Sequence, residues 1–155
     1  MTKVPQLPFL EQIQEQSISY NELKGNEHKK NLGQFFTDIN IAKFMASLAN
    51  VNIKQHEINI LDCGSGNGIL AISLLQRLDT LNLSLNVKLH LYEIDQDIIY
   101  SLKSNIEMLQ SHLKNVDLSF TIYQENFILK DINQKFDFII SNPPYFKLNK
   151  ASNEA

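Results

Sequence analysis

Apolar and polar positions change their spacing along the chain, and this change divides the chain into units. Short apolar runs stand at residues 58–61, 87–93, 118–123 and 136–141. Helical spacing follows the first run from Ile69 and the second run from Asp95, whereas an irregular stretch to Gln134 follows the third. Apolar runs between turn residues indicate buried strands, and strands that alternate with helices predict a parallel sheet. We therefore predict an α/β fold with a mostly parallel sheet and helices on both of its faces.

The N-terminal part of the chain has a weaker helical pattern. Apolar side chains recur at partly helical spacing over residues 8–23 and predict a first helix. Gly25 is expected to end this helix, and the charged residues 26–31 are expected to form a loop. Residues 1–30 are thus predicted to be a helical segment that precedes the main domain.

A second helix is predicted before the first strand. Thr37 or Asp38 is its expected N-cap, and the helical pattern ends near Asn50. Its expected core-facing stripe consists of Ile41, Phe44, Met45 and Leu48.

Composition narrows the class of protein. The 155 residues suffice for one domain, and a formal net charge of −3 gives no overall attraction to nucleic acid. A nucleic-acid role would therefore need a local basic patch or another domain. The single cysteine, Cys63, excludes an internal disulfide and fits a reducing compartment, and the residue spacing predicts no metal site. No apolar run reaches membrane-spanning length, so a soluble cytoplasmic protein without a membrane partner is expected.

The most informative stretch follows the fourth apolar run and reads Asn142-Pro143-Pro144-Tyr145. Each proline fixes its own φ and restricts the residue before it, so the chain leaves the strand in a fixed, extended shape. The Asn142 amide oxygen and the Pro143 carbonyl can then accept hydrogen bonds from one NH2 group, beside the Tyr145 ring. Such a pocket suits a planar group that bears an amine. A simple turn after a strand is the alternative interpretation, because Asn-Pro is a common turn opening.

A glycine-rich turn follows the first apolar run, with Asp62 ahead of Gly64, Gly66 and Gly68. Glycines at such a turn let the backbone pass close to a ligand where a helix begins. A carboxylate at the end of the strand would repel a pyrophosphate, and it suits a ligand that carries an ammonium group. A purely structural turn is the alternative.

The next two strands also end in polar side chains. Glu93 can accept both hydroxyls of a ribose. The alternative is that Glu93 only favours the dipole of the helix that follows, as is expected for Asp95 and Asp97. Asn126 and Phe127 could bind an adenine amino group and pack on its ring, or they could form a capped loop with Phe127 in the core. An ammonium group, a ribose and an adenine together describe S-adenosylmethionine.

The sequence resembles the amino-group DNA methyltransferases over about residues 31–145, specifically the adenine-N6 enzymes of type I and type IIG restriction-modification systems. Two motifs carry the resemblance: Gly33-Gln34-Phe35-Phe36-Thr37 and Asn142-Pro143-Pro144-Tyr145. It implies a Rossmann-like class I S-adenosylmethionine-dependent methyltransferase fold. Residues 31–155 would form its N-terminal part, with the first four strands, and the strand at residues 136–141 would lie at an exposed sheet edge.

The resemblance also implies roles for individual residues. The catalytic set would be Asn142, Pro143, Pro144 and Tyr145. The cofactor-binding set would be Phe35, Thr37, Asp62, Gly64, Gly66, Glu93, Ile94, Asn126, Phe127 and Asn142. Phe35 and Thr37 would line the methionine end, and Ile94 would pack on the adenine. Asn126 departs from the family, which usually has Asp at this position, but an amide oxygen can still accept from the adenine amino group.

The resemblance implies a reaction in which a target adenine, flipped out of duplex DNA, receives a methyl group on N6. The duplex would be gripped by a C-terminal recognition domain that is absent here, and a complementing chain or a restriction or specificity subunit could be a partner. The isolated chain is therefore expected to be inactive. Three alternatives stay open: methylation of a protein glutamine amide, methylation of ribosomal RNA, and an inactive cofactor-binding module.

Overall fold

The computed structural model describes residues 9–32, 36–50, 54, 56–131 and 133–143, with only the backbone described at residues 24–32. The elements in chain order are α1 (Phe9–Leu32), α2 (Ile39–Ser47), β1 (Glu57–Cys63), α3 (Ile69–Asp79), β2 (Leu85–Tyr92), α4 (Gln96–Gln110), β3 (Val116–Tyr123), a short 3₁₀ helix (Phe127–Leu129) and β4 (Phe138–Ile140). Within these ranges, no helix combines the length and the apolar character that crossing a membrane requires.

The described strands form one parallel sheet in the order β3-β2-β1-β4. This arrangement confirms the predicted α/β fold and places β4 at an edge of the described sheet. Strand β1 is central, so Asp62 pairs in register with Leu91 on one side and with Ile140 on the other. The direction of the strand order reverses between β1 and β4, and ligands of open α/β sheets bind at the carboxyl ends of strands at such a point.

One face of the sheet carries the hydrophobic core. Side chains at alternate positions of the strands pack into a single buried cluster with α1, α2, α3 and α4. The strand members of this cluster are Ile58, Ile60, Leu85, Val87, Leu89, Leu91, Val116, Leu118 and Ile140. Burial of each such side chain contributes about 1.5–3 kcal/mol, so this layer provides most of the stabilisation of the fold.

The opposite face differs from the expectation that helices cover both sides. Among the described residues, this face is crossed by the connection between β3 and β4, whose only helix is the 3₁₀ turn. Gln134 Nε2 lies 3.4 Å from Asn59 Oδ1, and the Asn59 N–H donates to Asp137 at 2.8 Å. The reason lies in β2 and β3, where polar residues such as Lys88 and Ser119 alternate with apolar ones and are exposed. Strict alternation is typical of a sheet with one buried face.

Helix α1 continues past Gly25 to Leu32, so the predicted helix end and the predicted loop at residues 26–31 are both wrong. A glycine inside a helix costs only about 1 kcal/mol relative to alanine. Packing overrides that cost here, because Leu10, Ile13 and Ser17 of the first half of α1 are buried.

Helix α2 confirms the predicted start and contradicts three of the four members of the predicted stripe, whereas the fourth, Met45, is half-buried and packs against the core. Asp38 is its N-cap and accepts the Asn40 N–H at 2.8 Å. Ile41, Phe44 and Leu48 are 53%, 63% and 65% exposed. The buried positions are Ile39, Ala42 and Ala46. The small alanine side chains let α2 lie close to α3, and a bond from the Ile39 N–H to Gln14 of α1, 3.0 Å long, fixes the rotation of the helix.

Candidate active site

The turn between β1 and α3 has the backbone that its glycines predict. Gly64, Gly66 and Gly68 have φ values of 76°, 54° and 87°. These values lie in the left-handed region, which residues with a Cβ atom adopt at a cost. The N–H groups of Gly64 and Ser65 both donate to the Tyr92 carbonyl at 2.9 Å, so the turn is fixed to the end of β2.

The three glycines serve different purposes. A Cβ atom at Gly68 would lie 2.8 Å from Leu102 Cδ1, so this glycine allows α4 to pack on the turn. A Cβ at Gly66 would meet the Phe36 ring at 3.5 Å. A Cβ at Gly64 would have no described atom within 4 Å, so this part of the turn is open to a ligand.

Asp62 lies beneath the turn and is fully buried. Neither carboxylate oxygen completes a hydrogen bond with the described residues. Burial raises the pKa of Asp62 to about 7; the nearby Ala71 N–H lowers it in part, and the charge of Glu93 raises it further. With no exposed surface, Asp62 can reach a ligand directly only if the turn moves. Its predicted role as the ammonium partner stays a prediction.

Glu93 follows β2 immediately and is largely buried. Its Oε2 accepts the Gly66 N–H at 2.8 Å, and its Oε1 accepts the N–H groups of Ile94 and Asp95 at 2.8 and 2.9 Å. Burial raises the pKa of Glu93, whereas these three bonds lower it. A carboxylate offers about four lone-pair sites. One site on Oε2 is left, so Glu93 must release one backbone bond before it can accept both hydroxyls of a ribose.

Tyr20 of α1 borders the same region and was not predicted to do so. Its hydroxyl donates to Asp95 Oδ2 at 2.6 Å, and its ring meets the Phe36 ring edge-on with centroids 5.7 Å apart. Burial, together with the Asp95 hydrogen bond and charge, raises the pKa of Tyr20. Asp95 also caps α4 through the Asp97 N–H at 3.0 Å, which confirms its interpretation as a helix acid.

A buried polar network joins α1 to the glycine turn. Asn67 Nδ2 donates to the Ile13 carbonyl at 3.1 Å and to Ser17 Oγ. Asn105 Nδ2 donates to the Asn67 carbonyl at 3.0 Å and to Gln16 Oε1 at 3.1 Å. The sequence offered one signal for this network: Asn105 interrupts the apolar stripe of α4, and a polar residue at a core position needs a partner.

The acceptor motif begins beside this turn. Ser141 Oγ donates to the Cys63 carbonyl at 2.6 Å, which ties the end of β4 to the end of β1. Asn142 Nδ2 donates to Thr37 Oγ1 at 3.1 Å. Because the amide nitrogen faces Thr37, the amide oxygen faces the other way and is left to accept. The geometry therefore brings together two predicted residues that lie 105 positions apart.

Four further predicted residues complete the motif regions. Pro143 is described and exposed. Phe35, Pro144 and Tyr145 lie outside the described residues, so their roles stay predictions.

At the end of β3, the structure agrees in part with a capped loop and in part with an adenine contact for Asn126 and Phe127. Asn126 Oδ1 accepts the Ile128 N–H at 3.0 Å and caps the 3₁₀ helix. The Phe127 ring meets the Tyr92 ring edge-on at 5.1 Å, outside the helix-side core. Ile94, next to Glu93, is exposed as an adenine-packing residue would be before a ligand binds. An adenine contact from any of the three stays a prediction.

Comparisons with known proteins agree with this geometry. Residues 35–155 match the family model described as "Methyltransferase small domain". The chain is 31% identical over 154 residues to the type II methyltransferase M.BsuBI of Bacillus subtilis, covering 93% of this chain and 30% of that protein. It is 33% identical over 98 residues to a tRNA1(Val) (adenine(37)-N6)-methyltransferase of Actinobacillus pleuropneumoniae, covering 63% of this chain and 37% of that protein.

A solved structure supports the fold. A protein of Listeria monocytogenes described as a class I S-adenosylmethionine-dependent methyltransferase superposes with a TM-score of 0.61 and 20% identity over 89% of this chain and 42% of that chain. The open backbone at Gly64 and the orphaned Asp62 carboxyl fit a cationic ligand at the turn. S-adenosylmethionine is the cofactor that the family match and the fold indicate. The chain belongs to the methyltransferase small-domain family, with a class I, Rossmann-like α/β fold.

Proposed function

We propose that this chain binds S-adenosylmethionine and presents an acceptor pocket for methyl transfer to the N6 amino group of adenine in DNA, as part of a restriction-modification methyltransferase. The observation that carries the proposal is the hydrogen bond from Asn142 Nδ2 to Thr37 Oγ1 at 3.1 Å. It joins the two motifs of the adenine-N6 enzymes and leaves the Asn142 oxygen as an acceptor beside the cofactor turn. The chain spans 30% of the length of M.BsuBI, so the activity of a whole enzyme is part of the proposal.

The chemistry follows from that orientation. The cofactor supplies a methyl group on a sulfonium, which is an electrophile. The Asn142 oxygen and the Pro143 carbonyl would accept the two hydrogens of the target amine and draw its lone pair out of conjugation with the ring. The nitrogen would become cationic as its bond to the methyl carbon forms and the sulfonium–carbon bond breaks, and two fixed acceptors would stabilise that charge without a strong base. The surplus proton would then pass to the solvent. Thr37 holds the amide so that its oxygen, and not its nitrogen, faces the amine.

The type II relatives favour DNA as the source of the adenine. M.BsuBI matches across 93% of this chain, whereas the tRNA enzyme matches 63%. RNA is the second candidate, because that relative is named for the adenine N6 position in tRNA. The two candidates share the acceptor atom and differ in the polymer that carries it.

The experiment uses the whole protein that the gene encodes, with labelled S-adenosylmethionine. Mixed-sequence duplex DNA and a tRNA pool are supplied in parallel, and the methylated nucleosides are identified after digestion. We expect N6-methyladenine in the DNA and little label in the tRNA. Label confined to the tRNA would transfer the proposal to RNA, and label in neither polymer would contradict an adenine acceptor. The exposed residue Asn86 on the opposite sheet face provides a control variant, Asn86→Ala, which should match the wild type.

The isolated 155-residue chain should bind cofactor and transfer methyl groups to DNA at a negligible rate. Its net charge is −3, and phosphate contacts supply most non-specific DNA affinity. Robust turnover on duplex DNA by the purified chain would show that no further element is needed.

A further inference from the structure

Asp62 lies in surroundings where a nearby charge can change the protonation state of its carboxyl group. It is 0% exposed, and neither oxygen completes a well-formed hydrogen bond with the described residues, although the Ala71 N–H is close enough to favour the charged form. An ionised carboxylate in such a position is costly, whereas the neutral acid is much less so. A cation that arrives nearby reverses this preference, because charges interact strongly where water does not screen them.

The neighbours of Asp62 do not supply that cation. Glu93 at the end of β2 is an acid and opposes ionisation of Asp62, and β4 places the apolar Ile140 beside it. Helix α3 contributes the Ala71 N–H, which favours the charged form. Cys63 follows on β1, and burial raises the pKa of its thiol to about 11, so it is neutral near neutral pH. None of the described groups that act on Asp62 is positively charged.

We propose that Asp62 gives up a proton when the cationic cofactor binds above the glycine turn, and that it thereby raises the affinity for the cofactor relative to its neutral product. S-adenosylmethionine carries a sulfonium and an ammonium against one carboxylate, so its net charge is positive. S-adenosylhomocysteine, the thioether left after transfer, has no net charge. Both ligands keep the ammonium and the carboxylate of the methionine end, so the Asp62 carboxylate distinguishes them through the sulfonium charge, which only the first ligand carries.

The proton balance is simple. Cofactor binding converts the Asp62 acid to its carboxylate and delivers one proton to the solvent. Methyl transfer removes the sulfonium charge, and Asp62 then takes a proton back from the solvent. Product and neutral acid are therefore present together when the ligand leaves. Asp62 is a specificity-determining residue in this scheme, and the scheme rests on the cofactor and not on the identity of the acceptor.

The test is calorimetry on the full 155-residue chain, with each ligand titrated in buffers of different ionisation enthalpy. We expect the cofactor to release most of a proton at about pH 6 and the product to release far less. Cofactor affinity should rise about tenfold between about pH 6 and about pH 8, with little change for the product. Asp62→Asn should abolish the proton release and the pH dependence. Asp117→Asn, at an exposed position of β3, should leave both unchanged.

A second variant separates the two acids of the site. Glu93→Gln should weaken both ligands alike. Because the Glu93 charge raises the pKa of Asp62, this variant should also move the proton release to lower pH and keep a difference between the two ligands. Equal proton release for the two ligands in the wild type would overturn the inference and leave the methyltransferase assignment intact. A folded Asp62→Asn chain that still releases the proton would also overturn the inference and leave the methyltransferase assignment intact.

Direct observation covers the case in which Asp62→Asn does not fold. The ¹³C carboxyl signal of Asp62 in the wild type should move to the ionised position with the cofactor and not with the product. An unchanged signal in both complexes would overturn the inference. Failure of the wild type to bind either ligand would overturn the cofactor assignment and the inference together.

Discussion

The glycine turn after β1 and the acceptor segment after β4, which consists of residues 141–145, lie at the same end of the sheet. They differ in the contacts that hold them in the described chain. The turn is enclosed by α1, α3 and α4, and its amides are bonded to Tyr92 and Glu93. The acceptor segment is on an edge strand and is held by one bond from Ser141 and one from Asn142. Among the described residues, the cofactor end is thus fixed by several backbone bonds, whereas the described part of the acceptor segment, residues 141–143, is fixed by two side-chain bonds. Substitutions at the turn should affect stability and cofactor affinity, and substitutions at the acceptor segment should affect transfer.

The largest effect at the turn is expected from pH. The pKa of Asp62 is about 7 in the folded chain against an ordinary value of 3.8, so between these values the folded state binds a proton that the unfolded state has lost. The stability of the cofactor-free chain should therefore fall as pH rises from about 4 to about 7, by up to about 4 kcal/mol. Denaturant unfolding across this range measures the slope. Asp62→Asn should reduce the slope and leave the contribution of Glu93, whose pKa burial also raises. A slope as steep as that of the wild type in this variant would assign the effect to another group.

Gly68→Ala tests how tightly the turn is enclosed. The new Cβ would lie 2.8 Å from Leu102 at a φ of 87°. The clash and the strained backbone should together destabilise the chain by about 2–4 kcal/mol. Gly64→Ala is the matched control, because its Cβ meets open space and only the strain at φ 76° applies. Thermal unfolding of the two variants compares them, and equal losses would mean that α4 does not pack on the turn as described.

Glu93→Ala should weaken cofactor binding by about 1.5–3 kcal/mol, because a ribose would lose its acceptor and the turn would lose the Gly66 bond. Calorimetry with S-adenosylmethionine measures the change. Glu107→Ala, an exposed acid near the end of α4, is the control and should bind as the wild type does. Equal affinity of Glu93→Ala and the wild type would remove Glu93 from the site.

Thr37→Val should have the smallest effect on binding and a selective effect on transfer. Valine keeps the shape of threonine and removes the hydroxyl that accepts from Asn142, a bond of about 0.5–1.5 kcal/mol. In the whole protein that the gene encodes, kcat should fall while cofactor affinity changes little, and Thr37→Ser should restore most of the rate. A Thr37→Ser variant as slow as Thr37→Val would show that the methyl group, and not the hydroxyl, matters.

Features that depend only on a few neighbouring residues could be predicted from the sequence. The glycine spacing after β1 predicted the turn. Asp38 was one of two expected caps of α2, and Asp95 was expected to be an acid at the start of a helix, because both features depend only on the residues that follow them. The parallel sheet followed from alternating strands and helices. Glu93 was placed correctly at a strand end, but its three backbone bonds depend on how the turn folds back onto β2.

Features that depend on distant packing could not be predicted in the same way. Phe44 has the spacing of a core residue, yet it is exposed because Gln14 of α1 sets the rotation of α2. The extension of α1 past Gly25 likewise depends on its buried first half. The contact between Thr37 and Asn142 spans 105 positions, and no local pattern encodes it. The two motifs indicated a shared site without indicating that one would orient the other.

The most direct measurement compares Asn142→Ala and Asn142→Asp in the whole protein that the gene encodes, with transfer and cofactor affinity determined separately. Loss of an acceptor that acts chiefly in the transition state should lower transfer by Asn142→Ala on the order of 10²–10³-fold and leave cofactor affinity within a few-fold. Asn142→Asp keeps an oxygen in the same place and should be the milder lesion. Transfer by Asn142→Ala at the wild-type rate, or a parallel loss of cofactor affinity, would contradict the account of this residue as the acceptor for the target amine.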